Sequence, residues 1–244
     1  MNTKAFIWLF LIFLLGCKEA SFRDESDFGY NYQPKTEGHW VEYMVDSTTY
    51  NDVTSPPTIF TTTFYLREEI DSVFQDASGE DNILVTQYRK ENLSDSWDVY
   101  QVGSFKISES SHQRYFNDLR FISLIFPVAE GREWQGHSFL NVDNEPTLEY
   151  LDDARYDWNY QYTAVDEVVV IDSFTLDSCL TVLQIDEENL FEKKFGQELY
   201  ARNIGLVSKE LVVLNTQAPP SGASFIDRAE SGFIVSWRLR AYKN

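Results

Sequence analysis

Cysteine is scarce in this chain: its 244 residues contain only two, Cys17 and Cys179. Such a count excludes the disulfide framework that holds many small secreted domains together. Cys179 lies in a stretch, residues 173–185, that reads as a strand, where a lone cysteine usually acts as a small buried apolar group. The stability of the fold must therefore come from packing.

Histidine is also rare, and the three present, His39, His112 and His137, do not have the spacing of a zinc site. The serine elbow of hydrolases and the glycine-rich loops that bind phosphate are missing as well. We therefore expect no metal, no cofactor and no catalytic residues, and we predict that the chain is not an enzyme. The alternative is a secreted glycan hydrolase with two facing carboxylates, because acidic residues are plentiful.

Positive charge is in short supply, since 20 lysine and arginine residues are set against 39 acidic ones and the formal net charge is −19. A surface this acidic is repelled by nucleic acid and by anionic lipid headgroups. Neither is an expected partner, and the simplest role of the charge is to keep the protein soluble.

The chain has a single long apolar run, residues 5–15, which has the length of a signal-peptide core and is too short to cross a bilayer as a helix. It ends in Leu14-Leu15-Gly16-Cys17, which resembles the lipobox of bacterial lipoproteins. The resemblance implies a diacylated Cys17, cleavage before it, and attachment to a membrane through the lipid. The alternative is an ordinary secretory signal with a chance cysteine.

Three segments follow from this interpretation. Residues 1–16 form a lipoprotein signal peptide, residues 17–35 the lipidated cysteine and a flexible tether, and residues 36–244 a β-rich domain. The tether is assigned because the stretch is polar and acidic and has no periodicity. Lys18 follows the cysteine, which by resemblance to lipoprotein sorting rules implies the outer membrane, on either its periplasmic or its cell-surface side.

From residue 39 onward the hydrophobic pattern has period 2, which is typical of strands. The clearest case is the last strand, where Phe233, Val235, Trp237, Leu239 and Ala241 alternate with more polar residues. This last strand spans 232–242, and further strands are predicted at 41–45, 60–66, 83–90, 97–107, 119–126, 134–141, 156–171, 176–185, 190–202 and 206–215. Because no helical periodicity separates them, we predict an all-β fold: one domain with a large, curved antiparallel sheet, either half-barrel or sandwich-like.

One pattern occurs twice: Pro-x-x-Glu-Gly followed closely by tryptophan, at residues 34–40 and 127–134. We interpret each copy as a turn in which glycine adopts an unusual φ, followed by a tryptophan that anchors the next strand. Trp40 and Trp134 are therefore expected to be buried. The two copies indicate either a duplicated half-domain or one turn used twice.

Residues 34–45, 126–136 and 199–210 together resemble a group of uncharacterised envelope lipoproteins of the Bacteroidota. That group pairs a Pro-x-x-x-Gly-x-Trp start with a Tyr-Ala-x-x-Ile-Gly-Leu-Val-x-Lys-Glu hairpin, which here spans residues 200–210. The resemblance implies a β-rich envelope protein with a curved sheet and brings no assigned activity.

Four aromatic residues, Tyr156, Trp158, Tyr160 and Tyr162, share one face of a predicted strand. They form either the buried face of a sheet or an open groove that binds a glycan or a lipid. We name them as the candidate ligand-binding residues. The function we predict is that of a non-catalytic envelope lipoprotein that binds an envelope protein, a glycan or an apolar ligand.

Overall fold

A computed structural model of the protein describes residues 28–77, 79–140, 158–217 and 222–243. Within these residues, twelve strands, numbered in chain order, form one sheet. They are β1 Trp40–Asn51, β2 Thr58–Gln75, β3 Asp81–Lys90, β4 Asp98–Ile107, β5 Ser111–Phe116, β6 Leu119–Ile125, β7 Glu133–Gln135, β8 Asn159–Ile171, β9 Phe174–Glu188, β10 Glu192–Ala201, β11 Gly205–Asn215 and β12 Ser231–Lys243. A 3-10 turn, Tyr30–Tyr32, precedes β1, and a short helix, α1 Phe225–Arg228, precedes β12.

The strands form two antiparallel meanders, β1 to β6 and β7 to β12, which are joined through the pairing of β1 with β12. The opposite ends of the sheet approach each other. Ile122 N in β6 donates to Gly136 O over 2.9 Å, and Trp134 Nε1 in β7 donates to Ile122 O over 2.8 Å. The all-β prediction is confirmed, and the curved sheet is a nearly closed barrel.

Alternation along the strands determines which side chains enter the barrel. In β2, Leu66, Glu68 and Ile70 are buried, whereas Arg67 and Glu69 between them are partly exposed. Successive side chains of a strand point to opposite faces, so one set fills the interior of the curved sheet. The largest core cluster draws on both meanders, for example on Ile83 of β3 and Leu180 of β9.

The two Glu-Gly turns have the same backbone geometry. Gly38 and Gly131 have φ values of 75° and 78°, as expected for glycine at such turns. Gly38 N donates to Ile70 O of β2, and Gly131 N donates to Tyr162 O of β8, each over 2.8 Å. Each meander therefore begins with the same turn placed against its second strand.

The two tryptophans after these turns do not occupy equivalent positions. One residue separates Gly38 from Trp40, whereas two separate Gly131 from Trp134. A shift of one residue moves a side chain to the other face of a strand. Trp134 is buried, as predicted, but Trp40 is only partly buried and carries the guanidinium of Arg67 at 4.5 Å from its ring. The prediction that Trp40 anchors the core is wrong.

The packed part of the chain begins earlier than the tether prediction placed it. Tyr32 is fully buried, and its hydroxyl donates to Asp166 Oδ1 over 2.8 Å. Arg202 Nη1 donates to Asn31 Oδ1 over 2.6 Å, and Val128 N donates to Phe28 O over 2.9 Å. Residues 28–35 are thus held against the barrel by burial of aromatic rings and by hydrogen bonds, although their polar sequence resembles a linker.

Cys179 in β9 behaves as the sequence predicts. Its side chain is 1% exposed, and burial raises the pKa of its thiol to about 11. A thiol with a raised pKa is a poor nucleophile at neutral pH. Among the described residues, no helix has the length and apolar character needed to cross a membrane.

Candidate binding site in the barrel interior

A cavity of about 170 Å³ lies inside the barrel and is the candidate functional site. Its polar lining comes from strands of both meanders: Gln87, Gln101, Arg114, Gln184, Glu198 and Lys209. Its aromatic lining consists of Phe116, Phe121, His137, Trp158, Tyr160 and Trp237. Side chains from β3 to β6 and from β8 to β12 therefore converge on one small space.

The first charged pair of the interior joins Arg114 in β5 to Glu68 in β2. Glu68 also accepts a hydrogen bond from Gln87 Nε2 over 2.6 Å, and Gln87 in turn accepts one from Gln101. Burial alone would lower the pKa of Arg114, but the neighbouring Glu68 more than compensates and the pKa is raised. Arg114 is therefore a permanent cation in the wall of the cavity.

The second charged pair joins Lys209 in β11 to Glu198 in β10, with Lys209 Nζ 3.0 Å from Glu198 Oε1. The hydroxyl of Tyr200 donates to Glu198 Oε2 over 2.6 Å. Burial raises the pKa of Glu198, but the charges of Lys209 and Arg114 outweigh it, and the pKa ends below its ordinary value. Glu198 is therefore ionised at neutral pH, and the two pairs together carry no net charge.

An aromatic corner closes another side of the cavity. The ring of His137 stacks on Trp158 at a centroid distance of 4.8 Å, and its Nε2 lies 3.1 Å from the hydroxyl of Tyr160. Tyr160 fits here because its ring lies against Gly136, which directly follows the neighbouring strand β7, and a Cβ at Gly136 would collide with the tyrosine ring. Burial, and then the charge of Lys209, lowers the pKa of His137 to about 4.

Three polar atoms at this site lack a protein partner within the described residues: Arg114 Nη1, Trp158 Nε1 and His137 Nδ1. Each is shielded from solvent, and a buried polar group without a hydrogen bond costs about 1–3 kcal/mol. The guanidinium and indole N–H groups can only donate. The site can therefore accommodate a molecule that presents hydrogen-bond acceptors.

His112 lies next to Arg114 on β5 and is the most deeply buried histidine. It is 0% exposed and packs edge-on against Phe105, with 5.1 Å between ring centroids. Neither of its ring nitrogens has a hydrogen-bond partner among the described residues. Burial, with a smaller contribution from Arg114, lowers its pKa to about 3, so the ring is neutral at pH 7.

The aromatic residues singled out in the sequence are placed differently from one another. Tyr156 lies outside the described residues, whereas Trp158, Tyr160 and Tyr162 are all buried, at 2%, 3% and 0% exposure. Trp158 and Tyr160 line the cavity. Tyr162 does not, and its hydroxyl instead bonds to the backbone of Ile125 in β6. That these aromatic residues bind a ligand stays a prediction, and the described ones could bind it only in the interior of the barrel.

The charged residues of the site were missed in the sequence, although a signal exists. Glu68 stands between Leu66 and Ile70, in the same phase as these two core residues. Glu198 likewise stands two residues before the buried Tyr200. A charge in the buried phase of a strand indicates an interior ion pair, because an unpaired charge there would be prohibitively costly.

A larger groove of about 1280 Å³ lies at the end of the barrel beside the Tyr30–Tyr32 turn. Its rim includes the exposed residues Lys35, Thr36 and Glu109. The unpartnered atoms named above do not belong to its lining residues. Within the described part of the chain, no group of three His, Cys, Asp or Glu residues could hold a metal ion.

Comparison with known proteins finds no matching family model and no curated protein that matches. Two solved structures are similar in part. One is a protein from Bacteroides fragilis NCTC 9343 that is predicted to be exported and has a YmcC-like fold. Its sequence is 13% identical, the alignment covers 85% of this chain and 98% of that one, and the TM-score is 0.36. The other is a predicted lipoprotein from Parabacteroides distasonis ATCC 8503. Its sequence is 11% identical, the alignment covers 87% of this chain and 98% of that one, and the TM-score is 0.31.

Proposed function

We propose that this protein is a lipid-anchored envelope protein that binds a small ligand in the barrel cavity without transforming it. The observation that carries the proposal is the pair of solvent-shielded donors, Arg114 Nη1 and Trp158 Nε1, that have no partner in the described chain. Folded proteins rarely leave such groups unpaired. A ligand with acceptor oxygens would satisfy both donors and recover part of the cost of burying them.

The proposed absence of catalysis follows from the state of the two carboxylates in the interior charged pairs. A glycosidase needs one carboxylic acid with a raised pKa that can protonate the leaving group. Glu198 has a lowered pKa and is bound to Lys209 and Tyr200, while Glu68 is bound to Arg114 and Gln87. Glu198 is the one carboxylate among the described residues that line the cavity, and it can accept a hydrogen bond from a ligand, so binding is a better use of the site than hydrolysis by two facing carboxylates.

The lipid anchor is proposed from the lipobox ending at Cys17 and from the position where the packed chain begins. Phe28 is already fixed to Val128 at one end of the barrel. The residues between Cys17 and Phe28 can span at most about 40 Å when fully extended. The proposed location is the outer membrane, with the barrel held close to the bilayer surface.

Replacing Cys17 by Ser should abolish lipid attachment, because the serine hydroxyl does not replace the thiol as the acylated group. We expect a tagged fatty acid fed to the producing cells to label the wild-type protein and not the variant, with the variant remaining as uncleaved precursor. A Cys179→Ser variant is the matched control and should be labelled like the wild type. Label on the Cys17→Ser protein would contradict the lipoprotein assignment.

Ligand binding in the cavity should raise the melting temperature of the purified protein. A ligand present at ten times its Kd stabilises the folded state by about 1.4 kcal/mol, which corresponds to roughly 3–6 °C for a domain of this size. The screen would contain monosaccharides, amino acids, short-chain carboxylates and C4–C6 alcohols. We expect at least one of these classes to shift the transition.

The variant that tests the location of binding is Leu211→Phe, which adds volume to a half-buried residue of the cavity wall and removes no polar group. It should lose the shift because its side chain occupies the space of the ligand. If no class shifts the wild type, or if the variant responds equally, the cavity is not the binding site.

A further inference from the structure

We infer that the ligand of this cavity is a single neutral, hydroxyl-bearing ring of monosaccharide size, bound by Arg114, by the Glu198–Lys209 pair and by Trp158. The inference rests on the proposed function and names the chemistry of its ligand. Three independent properties of the cavity lead to it: its charge, its volume and the distribution of its polar and aromatic walls.

The charge of the site favours a neutral ligand. Arg114 and Lys209 are each already paired with a carboxylate, so the four charged groups sum to zero. An anionic ligand would approach Arg114 only by also approaching Glu68 and Glu198, and a cationic ligand would meet the opposite problem. In a site with low dielectric constant such like-charge contacts are strongly unfavourable. A neutral molecule avoids both.

The polar groups favour hydroxyls over carbonyls or ethers alone. Arg114 Nη1 and Trp158 Nε1 require acceptors, whereas the carboxylate of Glu198 and the amide oxygens of the lining glutamines can accept further hydrogen bonds from donors. A hydroxyl both donates and accepts, so one type of ligand group can satisfy both sets. Several hydroxyls around a ring would meet the walls on different strands.

The volume and the aromatic walls favour one ring. A cavity of about 170 Å³ corresponds to roughly six water molecules, which is close to the size of a single hexose and too small for an oligosaccharide. Trp158, Trp237 and Phe121 present apolar surface to the same space. The C–H groups on the face of a sugar ring can pack against such surfaces, while its hydroxyls reach the charged pairs.

A matched series of ring ligands tests the inference on the full-length protein in a detergent without a sugar headgroup. The probes are D-glucose, D-galactose and D-mannose as neutral rings, D-glucuronate as an anion, D-glucosamine as a cation, and cyclohexanol as a largely apolar ring. Affinity is measured by calorimetry and by saturation-transfer NMR. We expect at least one neutral sugar to bind at least tenfold more tightly than the charged and apolar rings.

Variants locate the binding. Trp158→Phe keeps an aromatic ring but removes the indole N–H, and should weaken binding of the neutral sugar by about tenfold, the effect of one lost hydrogen bond. Trp40→Phe, on the outer face, should leave the affinity unchanged. A sugar whose binding is insensitive to Trp158→Phe and to Leu211→Phe binds elsewhere and overturns the inference.

The outcomes separate the two proposals. Tighter binding of glucuronate, glucosamine or cyclohexanol that is lost in Leu211→Phe would overturn the neutral-sugar inference while supporting a binding cavity. If none of the six rings binds, the sugar inference fails, and the wider thermal screen decides independently whether the cavity binds anything else.

Discussion

Lowering the pH from 7 to 5 should reduce the free energy of unfolding by about 2 kcal/mol for each of the buried histidines His112 and His137, or about 4 kcal/mol together. In the folded protein their pKa values are lowered to about 3 and about 4 by burial, whereas an unfolded histidine titrates near its ordinary value of 6.5. Between these limits the unfolded chain binds more protons than the folded one.

The sign follows from this difference in bound protons. The contribution of the neutral, buried histidines to the free energy of unfolding is intact above pH 6.5. It decreases as the pH falls below that value and is fully lost below the pKa of the folded state. The lowered pKa values of Asp81, Asp166 and Glu198 lie in a more acidic range, because carboxylates titrate near 4 when unperturbed. The change between pH 7 and 5 therefore reports the histidines.

Chemical denaturation at pH 7, 6 and 5 measures the effect, provided that the m-value stays constant. His112→Leu, which has similar volume and does not titrate, should remove about 2 kcal/mol of the pH dependence. His137→Gln, which retains an amide for the hydroxyl of Tyr160, should remove a similar amount. Burial also lowers the pKa of His39, so the free energy of unfolding of both variants keeps a smaller dependence on pH. Identical pH profiles for the wild type and both variants would contradict the assigned burial of these rings.

The all-β fold could be predicted from the sequence because strand periodicity is a local property. Each strand shows its buried phase within a few residues, and the glycines of the two turns mark where meanders begin. Closure into a barrel was not predictable in the same way. It depends on contacts such as Ile122 N to Gly136 O and Tyr162 Oη to Ile125, which join residues whose proximity no local pattern encodes.

The candidate site was predictable only in its aromatic part. Trp158 and Tyr160 belong to a series of aromatic residues at every second position, which can be seen in the sequence. The pairing of Glu68 in β2 with Arg114 in β5 joins strands that are far apart in sequence and depends on the folded sheet. Glu198 and Lys209 face each other across the β10–β11 hairpin, but no local pattern shows that this pair lies near Arg114 in the interior. Bulges add to the difficulty, as between β1 and β12 beside Glu42/Tyr43 and between β10 and β11 beside Leu199/Tyr200, because each shifts the register between the two paired strands.

Truncating Trp134 to Ala should destabilise the protein by about 3–5 kcal/mol, the cost typical of deleting a large buried aromatic side chain. Trp134 is 8% exposed, its ring lies 4.6 Å from that of Tyr162, and its Nε1 donates to Ile122 O across the seam of the barrel. The variant therefore loses both core packing and one of the contacts that close the sheet.

Trp40→Ala is the matched control, since Trp40 follows the equivalent turn but lies on the opposite face of its strand. It loses the interaction with the guanidinium of Arg67, which is worth about 0.5–2 kcal/mol, and creates no interior cavity. Denaturant midpoints at pH 7, where all three histidines are neutral, compare the two variants directly. If Trp40→Ala were as destabilising as Trp134→Ala, the one-residue difference after the two turns would not determine which tryptophan enters the barrel.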